Sequence, residues 1–531
     1  MSTRFSSSKI LTCLVASLLF ACAFYQLPLF SVNQHTYFLH GLAQAGYGHL
    51  AGDWLSHQTD HVPVFSWLVT QVYRMGSPWL FQALFGLLAS LYAASLLLIA
   101  SSAAGPSAAP QSWQYRLQFV ILLLALLTAL HSTWMLAPLR DIHAGAADPV
   151  ALIHRLASVA SYGVAGQTLL GHYLQPSSFG VLLLASIACF LLRRDYIAIV
   201  CALVAASLHP TFVLHAGILT VAYMLVLARE GRPRQAFALG LLALLLVLPI
   251  VLYVMAKMQP DSPASLARAN AILANERIPH HTQISVWLSR GTWLKLAIVL
   301  AGILAARHNR RLFLVLSFCA AISIALSLLQ WISGSNGFAL LFPWRLSTWL
   351  VPACTAILLG EGVRRLLGAL QALPDRLAAP VTTGTLMLAL GLVGLVSALG
   401  LNRTITGPEQ MKPDLLAQHA AHQGEAGQTY LVPLGYSSFR LTAGLPVFID
   451  WKSHPFRDVE LVEWHERVQL AQDFYAADTS ADAARALAAI QAHAPVTHIV
   501  VKSGDEQRLD LVDAEVLFRD ADRVLVKLDG G

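Results

Sequence analysis

Two patterns of apolar and polar positions divide the chain. Up to about residue 401, long apolar runs recur near 10–30, 78–101, 117–137, 177–192, 196–210, 212–228, 235–256, 292–306, 312–332, 344–360 and 380–401. A helix of about 17 to 25 apolar residues crosses a hydrocarbon core, so the pattern predicts roughly eleven transmembrane helices. The fifth and sixth runs are short and meet at "SLHPTFVLH", where Pro210 cannot continue the helical hydrogen-bond ladder. A re-entrant hairpin fits that pair equally well. The first run follows a basic stretch but has no small-x-small cleavage site, so it reads as a membrane helix and not a cleaved signal.

Beyond residue 401 the pattern changes. The runs "TYLVPL", "LPVFID", "THIVVKS" and "RVLVKL" read as strands, and "ADAARALAAIQAHA" as a helix. The expected fold is therefore an all-α polytopic membrane bundle, residues 1–401, with a small C-terminal α/β domain, residues 402–531. The longer outer loops of the bundle are expected at 31–77, 138–176 and 258–291.

Composition supports the membrane assignment. Of 531 residues, 56% are apolar and 12% charged, against roughly 25% charged in soluble domains. About two-thirds of the acidic residues fall in the tail. Alternate loops hold the arginines: Arg4, Arg116, Arg193 and Arg194, Arg229 to Arg234, Arg307 to Arg311, and Arg364 to Arg376. Short basic loops stay cytoplasmic, which places the N-terminus inside and the tail outside; the bacterial cytoplasmic membrane is what the resemblance given below implies. The net charge of +6 is spent on these loops, and no nucleic-acid partner is suggested. The 6 cysteines all lie in or beside apolar runs and show no disulfide or zinc-ligand spacing.

Ionisable residues near a membrane are functional candidates. The first outer loop holds "LAGDWLSHQTDHVPVFSWL", with Asp53, His57, Asp60 and His61 at spacings that share a face if one helix continues. This set offers a general base and a ligand for a divalent cation, Mg or Mn; a wet interfacial helix is the alternative. "LAPLRDIHAGAADP" adds Arg140 and Asp141, and "NERIPHHTQ" adds Arg277, His280 and His281, which read as a phosphate or metal site or as a polar turn. In "FPWRLSTW", Arg345 is placed to grip a lipid phosphate or simply to snorkel to the headgroup layer. In the tail, "DWKSHPFRD" packs Trp451, Lys452, His454 and Arg457 into one segment suited to a glycan or lipid headgroup, with a salt-bridged surface turn as the alternative.

With "GDW" early, "HPT" in mid-bundle, "FPWR" late and "DWKSHP" in the tail, the chain resembles the GT-C class of polytopic glycosyltransferases, and within it a group of bacterial membrane proteins sharing these motifs. The resemblance covers nearly the whole chain in architecture. It implies transfer of a sugar from a polyprenyl-phosphate-linked donor to a glycan or protein acceptor on the outer face, with an acidic residue of the first outer loop, Asp53 or Asp60, as base or metal ligand. The loop lacks the paired acids common in that class. A transporter or flippase and a non-catalytic envelope assembly protein are the other readings. The first wants charged or broken helices near the midplane, and Pro210 is the one such feature in the sequence.

Overall fold

The computed structural model describes residues 7–104, 112–136, 148–410, 412–509, 511 and 514–528. Each apolar run is built around a helix. Among the described residues, 8 helices are long and apolar enough to cross a membrane: Trp79–Ser102, Trp113–His131, Phe212–Arg229, Pro233–Lys257, Arg290–His308, Arg310–Ser333, Asn336–Gln371 and Asp375–Gln410. Pro176–Leu191 and Asp195–Leu208 are apolar but shorter, and the first helix, Ser7–Ala23, has 17 residues. The Asp195–Leu208 helix stops at His209, which is extended, and the next begins at Phe212. Pro210 therefore sits in the break, where its missing N–H costs nothing.

Two compact units are present. The first comprises Met1–Leu27, Phe81–Pro249 and Ile278–Gly407; the second comprises Pro28–Leu80, Ile250–Arg277 and Pro408–Gly531. In the first, helices that are apolar on every face pack through small residues. A Cβ added at Gly302 would lie 2.4 Å from Cys354 Cβ, so glycine is what lets the Arg290–Ala305 and Ser347–Gln371 helices approach. A buried ion cluster ties other helix ends together. Arg311 donates to both Glu230 oxygens at 2.7 and 2.6 Å, to Asp195 Oδ1 at 3.0 Å and to the Phe190 carbonyl at 2.8 Å. With every donor of its fork but one nitrogen's second hydrogen engaged, this arginine compensates two carboxylates that a low-dielectric setting would otherwise penalise.

The second unit carries a four-stranded sheet: β1 Tyr430–Leu431, β2 His498–Lys502, β3 Glu515–Arg519 and β4 Arg523–Lys527. The order is β1-β2-β4-β3, with β1 parallel to β2 and the other pairs antiparallel. Tyr430, Val432, Phe439, Val447, Val500 and Leu525 meet in its core. The segment "LPVFID" is expected as a full strand, yet it makes only a single bridge, Tyr430 to Val447. Asp450 follows directly, and its carboxylate accepts from the N–H groups of Lys452 and Ser453, both at 2.7 Å. That turn stops the strand. "DVELVEWHERV", which shows no clear strand or helix period, forms most of the helix Asp458–Ala476, which packs against Ser480–His493.

Candidate functional site

The first-loop residues do not form one helix. Leu50–Gly52 and Trp54–His57 are short 3-10 turns, and an α-helix starts only at Pro63. Asp53 is extended and caps the second turn, with Oδ1 accepting from Leu55 N at 2.9 Å. The expected shared face of Asp53, His57, Asp60 and His61 is thereby broken, because a capping aspartate uses its side chain on its own backbone.

Asp53 is fully buried. Its Oδ2 accepts from Arg440 Nε at 2.8 Å and from Val447 N at 2.9 Å. Arg440 Nη1 donates in turn to Asp450 Oδ2, so a buried Asp-Arg-Asp chain joins the first loop to the turn at 450–453. Burial works against the charge of Arg440, but the two carboxylates outweigh it and raise its pKa. The expectation of Asp53 as a free base does not hold: three N–H donors already occupy it. Asp60 is different. It is half-buried, its Oδ1 accepts from Val62 N at 2.9 Å, and Oδ2 makes no hydrogen bond among the described residues. His57 is exposed, with Nδ1 donating to the Asp53 carbonyl at 3.0 Å. The His61 ring lies 3.9 Å from that of Phe456, which lies 4.7 Å from His454.

The turn fixed by Asp450 presents Trp451, Lys452, Ser453 and His454. Arg277, at the end of a short π-helical turn, donates from Nη2 to the Lys452 carbonyl at 2.8 Å and lies 5.8 Å from the centre of the Trp451 ring. Arg277 Nε is buried without a partner among the described residues. Neither Arg277 nor Lys452 has an ion-pair partner among them. Burial lowers the pKa of Arg277, and burial together with the Arg277 charge lowers that of Lys452. Two half-buried cations thus stand side by side, partly desolvated and repelling each other, beside a tryptophan that is 37% exposed. An anion placed there would relieve both costs. Arg457 directly precedes the Asp458–Ala476 helix without a side-chain capping bond, and its Nε is also buried and unpartnered among the described residues.

Two histidines of this region are uncharged at neutral pH. Burial, then Arg277, pushes His454 down to about 3. Burial, then Arg440 and Lys452, holds His35 at about 4. Both values lie below the unfolded value of about 6.5, so between these limits the unfolded chain binds more protons and stability rises with pH. The melting temperature should therefore fall as the pH drops below about 6.5, with His35→Phe blunting the fall. A melting temperature flat from pH 7 to pH 5 would contradict this.

The remaining expected residues lie elsewhere. In the first unit, Arg345 donates to Gln167 Oε1 from Nε at 3.2 Å and Nη2 at 2.8 Å, and Gln167 Nε2 donates to His281 Nε2 at 2.7 Å. His281 packs 4.0 Å from the exposed His280 ring. Arg277 and His280 are close in sequence but belong to different units. Arg140 and Asp141 lie outside the described residues. Among the described residues, no group of three or more His, Cys, Asp or Glu is arranged to hold a metal ion, and Asp53 is filled by Arg440. Sequence reasoning missed Arg440, His35 and Glu460, whose carboxylate accepts from Thr59 N and from Thr59 Oγ1 at 2.6 Å. Nothing local marks them.

Residues 416–471, which contain Arg440 and the turn at 450, match a family model described as a domain of unknown function, DUF6798. No curated protein matches the sequence. Among solved structures the chain is similar to ArnT from Cupriavidus metallidurans bound to undecaprenyl phosphate, at 14% identity and a TM-score of 0.49, over 99% of this chain and 98% of that one. It is also similar to the same protein in the apo state, at 13% identity and a TM-score of 0.48, over 98% of each chain.

Proposed function

We propose that the protein is a membrane glycosyltransferase of the GT-C type, transferring a sugar from a polyprenyl-phosphate-linked donor to an acceptor hydroxyl at the outer face of a cytoplasmic membrane. The observation that carries this reading is the pair of half-buried cations, Arg277 and Lys452, beside the Trp451 ring: neither forms an ion pair among the described residues, and the Asp450 carboxylate that acts on both is itself engaged by Arg440. Guanidinium and ammonium groups bind phosphate oxygens strongly where water is scarce. In this reading Arg277 and Lys452 hold the donor phosphate and stabilise the charge it gains on leaving. Trp451 offers a ring face to the sugar.

The acceptor oxygen attacks the anomeric carbon as the bond from that carbon to the phosphate oxygen breaks. The electron pair of that bond departs with the polyprenyl phosphate. The acceptor proton passes to Asp60 Oδ2, the first-loop carboxylate oxygen left open. Asp53 acts one step back, by fixing Arg440 and through it the Asp450 turn that places Trp451 and Lys452. His454 and Arg457 flank the same segment, and His454 stays neutral there, so it adds no charge to compete with the cations.

Two experiments test the reading. Arg277→Gln and Lys452→Gln should each raise the KM for a polyprenyl-phosphate sugar by about tenfold or more, since a hydrogen bond to a charged group is lost. An unchanged KM in the folded variants would remove the phosphate site. The reading also requires the tail outside. Reporter fusions after residues 232 and 309 should read cytoplasmic and those after 270 and 420 external, and a cytoplasmic signal at 420 would defeat the outer-face assignment.

A further inference from the structure

The first unit holds a partly open cavity of about 380 Å³ that plays no part in the chemistry above. His131, Trp134, His154, Arg155, Tyr162 and His172 are in its wall, and among the described residues no carboxylate lines it. Its depth in the membrane is set by the helices that reach it. His131 is the last residue of the Trp113–His131 span, and Phe24 directly follows the Ser7–Ala23 helix. Span ends lie at headgroup level.

Arg155 lines the cavity, and a second arginine, Arg403, stands behind the lining residue Trp134. The Arg403 guanidinium sits 4.1 Å from the centre of the Tyr25 ring and 4.9 Å from that of Trp134, stacked on two aromatics with no carboxylate partner among the described residues. Arg155 likewise has none. Trp134 Nε1 is a buried donor with no partner among the described residues, a state that costs free energy unless a ligand supplies an acceptor. His172 faces the Tyr25 carbonyl with Nδ1 at 3.0 Å, so Nδ1 carries the proton. Burial works against its charged form, and in the neutral ring with the proton on Nδ1 the Nε2 atom is an acceptor for a hydroxyl.

Next to this wall runs the helix Pro149–Ser161, which exposes Leu152, Ile153 and Leu156 at 57%, 44% and 54% on either side of Arg155. A helix with an apolar exposed face and an arginine among those residues lies in the plane of an interface, its apolar side against acyl chains.

We propose that this cavity is a binding site for the phosphate-bearing, hydroxyl-containing headgroup of an anionic membrane lipid. Arg403 and Arg155 hold the phosphate, Trp134 Nε1 donates to one of its oxygens, and His172 Nε2 accepts from a headgroup hydroxyl. The acyl chains run along Leu152, Ile153 and Leu156. The site uses no residue of the Arg277 and Lys452 pair, and it stands whether or not the chain transfers sugars.

The test is native mass spectrometry of the purified full chain in detergent, with phosphatidylglycerol as the probe. Wild type should retain one phosphatidylglycerol per chain. Arg403→Gln and Arg155→Gln should each weaken its retention by about tenfold, and Trp134→Phe, which keeps the ring and removes only the N–H, by several-fold. Arg268→Gln, an exposed arginine of the second unit, should match wild type. Melting temperatures identify any variant that fails to fold, and Trp134→Phe keeps the proposal open to refutation if an arginine variant does. Retention unchanged in folded Arg403→Gln and Trp134→Phe would overturn the site. Displacement of the lipid by an equal concentration of glycerol 3-phosphate would overturn the assignment to a lipid and point to a soluble phosphate instead.

Discussion

Replacing Arg440 by alanine should destabilise the second unit by about 3 to 5 kcal/mol, the usual cost of leaving a buried charge without its partner. Here two carboxylates are left, because Arg440 is the common donor to Asp53 and Asp450 and all three side chains are at most 1% exposed. Arg440→Lys should recover only part of the loss: an ammonium is a single point charge and lacks the planar fork that reaches both acids. Combining Arg440→Gln with Asp53→Asn and Asp450→Asn should be less harmful than Arg440→Gln alone, since the stranded charges are gone. Thermal melting of the purified chain measures this. A near-wild-type melting temperature for Arg440→Ala would mean that the chain of charges does not hold the first loop against the Asp450 turn.

The second large effect is on chemistry. Asp60→Asn should lower transfer by about 10² or more while leaving the melting temperature unchanged. Asparagine keeps the side-chain oxygen that accepts from Val62 N and loses only the proton acceptor. Asp53→Asn should behave in the opposite way. Its new amide would meet Arg440 Nε and Val447 N, which are themselves donors, so stability should fall, and activity with it. The contrast separates a group that takes a proton from one that positions others. Equal activity of Asp60→Asn and wild type would move the base elsewhere.

The architecture was legible where it depends on local pattern. Apolar runs became helices, Pro210 marked the break between Asp195–Leu208 and Phe212–Arg229, and "THIVVKS" and "RVLVKL" paired as β2 and β4. The density of charge and aromatics in "DWKSHP" also drew attention to the turn that carries Trp451 and Lys452. What could not be read was partnership. Asp53 and Arg440 are separated by 387 positions, and neither "GDWL" nor "SFRLTAG" contains anything that names the other. Asp53 followed by a short turn reads as catalytic and as a cap with equal ease, since both uses want an exposed-looking acid before a helix. Burial decides between them, and burial is a property of the assembled unit. The same holds for Glu460 and Thr59, and for Gln167, which bridges Arg345 and His281 across 178 and 114 positions.

The central claim, that this chain spends a polyprenyl-phosphate sugar using Asp60 and the Arg277 and Lys452 pair, is tested most directly by following the release of polyprenyl phosphate from a labelled polyprenyl-phosphate sugar in proteoliposomes. The account predicts release by wild type in the presence of acceptor, at least about 10² slower release by Asp60→Asn, and a raised KM in Arg277→Gln and Lys452→Gln. Folded wild type that releases no polyprenyl phosphate from any of a panel of such sugars, or that is matched in rate by Asp60→Asn, would contradict it.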